Sequence, residues 1–188
     1  MSHFTNISAE EALNRLIKGN KDYLKSSFNP GDISLNKRND TFKNGQHPFA
    51  LVISCSDSRV IPEAIFAQGI GELFVIRVAG NVLDEFGLAS VEYGVEHLGI
   101  NLVMVMGHTN CGAVGASLSG EHTGYIKSLV NEIKFNIKDE KDYKKACIAN
   151  VRGVVDKIIR SGITKGNPNL KIIGSLYDIN CGSVEILK

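Results

Sequence analysis

The chain has 188 residues, 43 % of them hydrophobic, and a formal net charge of +1. That length suits one compact domain with its own core, and the apolar content excludes a disordered chain. The near-neutral balance offers no electrostatic footprint for nucleic acid or an anionic membrane. No apolar run approaches the roughly 20 residues of a membrane span. The first eight residues are polar, unlike a signal peptide, so the expectation is a cytoplasmic protein whose cysteines stay reduced.

Ser8-Ala-Glu-Glu11 has the form of a capping box, and Leu13, Leu16 and Ile17 follow at helical spacing. This predicts a helix from near Ser8 to beyond Asn20. No second helix stands nearby in sequence to cover its apolar face, so a partner subunit is expected there. Residues 25–48 are polar, contain Asn29-Pro30-Gly31-Asp32 and read as a long loop. Residues 49–54 form a short, continuously apolar run, the pattern of a strand buried on both faces. Residues 73–78 and 102–106 read the same way. Between them come a short helix over 62–66, with Pro62 at its start, and a helix over about 86–98.

A helix over 125–137 should bury Ile126, Leu129, Val130, Ile133 and Ile137. Another over 146–159 should bury Val151, Val155, Ile158 and Ile159, with Gly162 at its C-cap. Residues 170–176 are a fourth strand. Asn180-Cys181-Gly182 then turns the chain into an edge strand over 183–187, a hairpin. Strands alternating with helices imply an α/β fold: a central, mostly parallel sheet flanked by helices, with a C-terminal edge hairpin and an N-terminal helical arm. The expected organisation is a single domain over 1–188, with 1–48 as arm and loop and 49–188 as the core.

Two motifs carry the chemistry. C-S-D-S-R supplies Cys55, Asp57 and Arg59, and H-T-N-C-G supplies His108, Cys111 and Gly112. Two thiolates and one imidazole make a zinc ligand set that leaves a fourth position for water or a carboxylate. Cys55 directly follows one parallel strand and His108 ends another, and open α/β sheets bind ligands at such carboxyl ends. Asp57 and Arg59 are candidates to manage a metal-bound water. The Cys-to-Arg spacing is too short for a tyrosine-phosphatase loop, and Gly112-Ala-Val-Gly115 lacks the Gly-Lys-Ser/Thr element of a phosphate loop. Those glycines read as sites of close helix packing. Cys147, in a helical apolar register, and Cys181, in a turn, read as incidental thiols. His3, His97 and His122 read as structural or solvated, and His47 as a candidate proton relay beside Gln46.

With both motifs in view, the chain resembles the β-class carbonic anhydrases. The likeness continues through G-E-L-F-V-I-R at 71–77, V-E-Y-G-V at 91–95 and G-S-L-Y-D-I at 174–179. The resemblance implies a zinc enzyme, one Zn2+ per subunit, in which zinc-bound hydroxide hydrates carbon dioxide reversibly to bicarbonate and a proton. It implies a homodimer or dimer of dimers, with no nucleic-acid or membrane partner. By the same resemblance Cys55, His108 and Cys111 match the metal ligands, and Asp57 with Arg59 the catalytic dyad. Gln46, Phe74, Ala79, Tyr93 and Gly112 match substrate-pocket positions, some reached across the subunit interface. Members regulated by bicarbonate carry Trp where this chain has Val52, and Arg77-Val-Ala-Gly-Asn81 departs from the plant-like R-N-x-A-N form. Two other readings share these residues: hydrolysis of carbonyl sulfide or carbon disulfide, and a noncatalytic zinc or bicarbonate module with Asp57 as fourth ligand.

Overall fold

The computed structural model describes residues 7–28 and 31–188; His3 lies outside them. The elements, in chain order, are α1 (Ala9–Lys25), α2 (Leu35–Asn44), β1 (Ala50–Ser54), α3 (Pro62–Ile65), β2 (Leu73–Arg77), α4 (Glu85–Glu96), β3 (Leu102–His108), α5 (Gly112–Leu118), α6 (Ile126–Ile137), α7 (Tyr143–Ser161), β4 (Lys171–Tyr177) and β5 (Val184–Ile186). The sheet runs β2-β1-β3-β4-β5, parallel except for the antiparallel hairpin strand β5.

The continuous apolar runs are explained by two cores, one on each side of the sheet. Val52, Met104 and Met106 pack toward α1 and α3 with Leu16, Ile65 and Phe66. Their neighbours Leu51, Ile53, Val103 and Val105 point the other way, against Val91 and Val95 of α4 and Val151, Val154 and Ile158 of α7. Successive side chains of a strand face opposite sides, so a strand covered on both must be apolar throughout. Strand β2 departs from this expectation. It is the sheet edge, and Phe74, Val75 and Ile76 are only half-buried.

The helix caps follow the sequence. Ser8 accepts a hydrogen bond from Glu11 N at 3.1 Å, and Gly162 caps α7 in the left-handed conformation, φ 88°. Two expectations for the N-terminal region need correction. Residues 25–48 are not all loop, because α2 lies within them. Ser34 caps it, accepting from Lys37 N at 3.1 Å, but none of its residues is buried, so it has no apolar stripe to read. Second, the apolar face of α1 is not left for a partner. Ala9, Ala12 and Leu16 are buried on the chain's own sheet. Asn20 ties the helix down through Ile65 O (3.2 Å), Gly182 O (2.9 Å) and Val184 N (3.0 Å). Ile126 and Ile159, expected on packed faces, are each 49 % exposed at the rims of their helices. No helix among the described residues is long and apolar enough to cross a membrane.

If α1 belongs to its own chain's core, Leu16→Ala should destabilise the protein by about 2–5 kcal/mol, the range for an emptied leucine site. Urea unfolding at fixed protomer concentration measures this, and a loss below about 1 kcal/mol would contradict the packing.

Candidate metal centre

The sheet order creates the site. From β1 the chain moves outward to β2 and then returns to place β3 on β1's other side. The crevice between β1 and β3 is therefore the topological switch point. Ser54 registers with Met106, so Cys55, one residue past β1, emerges beside His108 at the end of β3. Cys111 follows through a turn containing Asn110, φ 54°, and immediately precedes α5. Thr109 anchors that turn, its N–H donating to Tyr177 O at 2.9 Å and its Oγ1 accepting from Ile179 N at 3.1 Å.

One ligand atom each from Cys55, His108 and Cys111 lie within 4.8 Å of one another, and all three residues are buried. The imidazole is fully buried. Its Nδ1 lies 2.9 Å from Thr109 O. A carbonyl only accepts, so Nδ1 carries the proton and Nε2 keeps a bare lone pair. Nε2 has no hydrogen-bond partner, and an orphaned buried acceptor is costly unless something occupies its lone pair.

The two sulfurs tell the same story. The Cys55 thiol is lowered to about 4 by a hydrogen bond from the Cys111 side chain; the backbone N–H groups of Asp57 and Gly80 add to this, while burial opposes it. Cys111 is pushed up, because Cys55 takes the negative charge and burial penalises a second one. Two adjacent thiols that cannot both ionise become ligands when a dication is present to neutralise them. The donor set therefore fits a thiolate-preferring divalent metal.

Asp57 flanks the cluster, its Oδ2 4.0 Å from His108 Nε2. Arg59 holds it with three hydrogen bonds: Nε to Oδ1 at 3.0 Å, Nη2 to Oδ2 at 2.8 Å, and its backbone N to Oδ1 at 3.0 Å. The Arg59 side chain thereby keeps the Asp57 carboxyl well below the usual carboxylate range. The structure thus brings together Cys55, His108, Cys111, Asp57 and Arg59.

The other predicted positions lie at various distances from this group. Gly112 opens α5 directly after Cys111, and nothing would contact a Cβ there. Close packing instead applies at Gly115, where a Cβ would meet Tyr143 Oη at 2.7 Å. Ala79 adjoins Gly80, whose N–H donates to Cys55 Sγ at 3.2 Å. Phe74, on the edge strand β2, registers with Leu51 and pairs with Tyr93 of α4, ring centroids 6.1 Å apart. Tyr93 in turn stacks on His97 at 5.2 Å. Gln46 is exposed, before the start of β1. Five strand residues, roughly 16 Å of rise, separate that end from the cluster. His47 shares its end of the sheet, and its ring meets Asn44 O at 3.1 Å. His122 Nε2 lies 2.7 Å from Ala116 O. Val52 is fully buried in the core beneath α1.

Sequence reasoning missed three supports. Arg77 clasps the Cys55 loop, Nε to Cys55 O at 3.2 Å and Nη2 to Asp57 O at 2.8 Å. Its only signal is a cation at the end of an apolar strand. Asn150 and Tyr143 reach the cluster from α7. Asn150 was detectable as a lone amide in an otherwise apolar helical register.

Comparison with known proteins agrees with this geometry. A family model described as carbonic anhydrase matches residues 50–184. "Carbonic anhydrase 2" of Mycobacterium tuberculosis is 44 % identical over 94 residues, 47 % of this chain and 45 % of that protein. The match thus spans less than half of that relative's length. "Carbonic anhydrase" of Mycolicibacterium smegmatis is 33 % identical over 167 residues, 80 % of each chain. A tetrameric β-carbonic anhydrase of Sordaria macrospora superposes with a TM-score of 0.67 at 28 % identity, covering 81 % of this chain and 88 % of that one. With the family model matched over residues 50–184 and the Cys-His-Cys group assembled at the sheet's switch point, this chain belongs to the β-class carbonic anhydrase family.

Proposed function

We propose that this chain is a zinc-dependent carbonic anhydrase interconverting carbon dioxide and bicarbonate, folded as one domain over 1–188. The observation that carries this reading is the Asp57–Arg59 clasp beside a buried Cys-His-Cys donor set. Cys55, His108 and Cys111 would hold the ion, since two thiolates and one imidazole suit zinc. When bound, zinc supplies a Lewis acid that lowers the pKa of a coordinated water, less strongly with two thiolate ligands than with three imidazoles.

The chain's own residues supply direction. Asp57, kept ionised by Arg59, accepts a hydrogen bond from the nucleophilic water and leaves an oxygen lone pair facing the carbon of the substrate. Arg59 commits both carboxylate oxygens to itself, which favours an open fourth position over a site closed by Asp57. Gly112, directly after Cys111, and Ala79, beside Gly80, would border the site from the same chain. Gln46, Phe74 and Tyr93 lie toward the β2 edge and the far end of β1. They complete a substrate pocket only from a second copy, with the Gln46 amide donating to the oxygen that becomes negative.

That second copy has its own support. Helix α2 buries no residue within the chain, and an unpacked ten-residue helix is marginal in water. Phe28, Ile33, Leu35 and Phe42 are all exposed around it, Phe42 at 89 %. These residues and the half-buried edge strand β2 are apolar groups that a homodimer or dimer of dimers would cover. Sedimentation at micromolar concentration should give a dimer or a multiple of one. A stable, fully active monomer would rule out the shared pocket.

Arg59→Ala should retain zinc and lose most hydration activity, because Asp57 is then free to swing toward the metal. A near-normal rate would remove the dyad from the mechanism. Asp57 is already ionised around neutrality, so it adds no limb to the pH profile there. The rate should rise with loss of a single proton from neutral to mildly alkaline pH. Val52 is sealed in the core, so no additional cooperative shutdown by bicarbonate is expected. A steep multi-proton profile with bicarbonate inhibition would contradict the open-site reading.

A further inference from the structure

Helix α7 runs along the metal centre and presents Tyr143, Cys147 and Asn150 to it, spaced so that they share one helical face. Cys147 packs among the apolar neighbours of the two ligand cysteines. Of the other two side chains, Tyr143 ends on the backbone of Cys111 and Asn150 on Gly80, whose N–H meets the Cys55 sulfur.

Asn150 is fully buried. Its Nδ2 donates to Gly80 O at 2.7 Å, and the Gly80 N–H donates to Cys55 Sγ at 3.2 Å. Gly80 O can only accept, so the carboxamide must present its nitrogen there and its oxygen elsewhere. That oxygen accepts from Asn136 Nδ2 at 2.9 Å, so both ends of the group are fixed. The turn that Asn150 pins is an unfavourable one for any other residue. Gly80 sits at φ 68°, and a Cβ there would meet Ile133 Cδ1 at 2.7 Å. The N–H facing the Cys55 sulfur thus depends on a backbone conformation that a side chain on α7 holds in place. Seven residues earlier on α7, Tyr143 Oη donates to Cys111 O at 2.6 Å, and its ring lies against Gly115.

We propose that Asn150 and Tyr143 are positioning residues of the metal centre, one for each cysteine ligand, so that α7 sets the geometry and affinity of the bound metal. Asn150 acts through the Gly80 N–H, which withdraws charge from the Cys55 sulfur. Tyr143 acts by fixing the backbone that carries Cys111. The inference rests on the zinc reading above. Outer partners of this kind typically change metal affinity by about 10- to 100-fold when removed.

The test compares zinc affinity, by competition with a chromogenic chelator, and the absorption spectrum of the cobalt(II)-substituted protein. The parent should bind one zinc and Cys111→Ser should not; a parent that binds none overturns the metal reading itself. Given a metal-binding parent, Asn150→Ala should weaken zinc by at least about 10-fold and shift the thiolate-to-cobalt charge-transfer band. Tyr143→Phe, which keeps the ring's packing, should weaken zinc by up to about 10-fold and also move the band. If both variants stay within about twofold of the parent with an unchanged band, the proposal fails, even where thermal stability falls. A change at one position alone overturns the assignment of the other. Should Asn150→Ala not fold, Asn136→Ala, which frees the far end of the same carboxamide, is read by the same criteria.

Discussion

Burying two sulfurs and a bare imidazole nitrogen within 4.8 Å of one another is unfavourable unless a cation joins them. This constraint organises the rest of the molecule. One thiolate can exist there at the expense of the other, and the His108 lone pair has no protein partner. A core without that function would place apolar groups at these positions at lower cost. Around the three donors the chain invests polar contacts whose common object is to hold the loops still. Arg77 grips the β1 exit, Thr109 the β3 exit, and α7 holds Cys111 and the Gly80 turn that faces Cys55. The cluster is thus better supported than its three ligands alone suggest, as expected where a metal must meet a fixed geometry.

The sheet explains why the donors come from distant sequence. Parallel strands place all their carboxyl ends on one side, and the reversal of strand order between β1 and β3 leaves a crevice there. Cys55 and His108 occupy its two walls. The opposite end of the same sheet carries Gln46 and His47, and the free edge carries Phe74 beside Tyr93. Under the proposed function, Gln46 at the opposite end and Phe74 and Tyr93 at the edge would serve a site assembled from two copies. Phe28, Ile33, Leu35 and Phe42, in and before α2, are apolar and exposed within one chain.

Much of this was legible in the sequence, and the exceptions have physical reasons. Strands β1 and β3 were readable because both faces are covered, which forces an unbroken apolar run. Strand β2 carries the same run but lies at the edge, and composition does not distinguish a face covered by the chain from one awaiting a partner. Helix α2 escaped notice because it buries no residue within the chain and so lacks an apolar stripe. Helix α1 was readable as a helix but not in its destination, since an amphipathic stripe does not say which core will receive it. At the site, Cys55, His108 and Cys111 were legible because their residue types are rarely grouped for any other reason, and Asp57 with Arg59 because two residues of spacing suffice for a clasp. The roles of Asn150, Tyr143 and Arg77 were not, although Asn150 stood out as a lone amide in an apolar register. Each acts on a backbone carbonyl 20 or more residues away, and nothing in a single chain marks such long-range pairs.

The central claim is that this cluster is a catalytic zinc site and not a structural one. Stopped-flow measurement of carbon dioxide hydration, on protein titrated with zinc to known occupancy, tests it most directly. The account predicts that turnover rises in proportion to bound zinc and reaches its maximum at one ion per chain. Full zinc occupancy with no hydration above the buffer rate would contradict it.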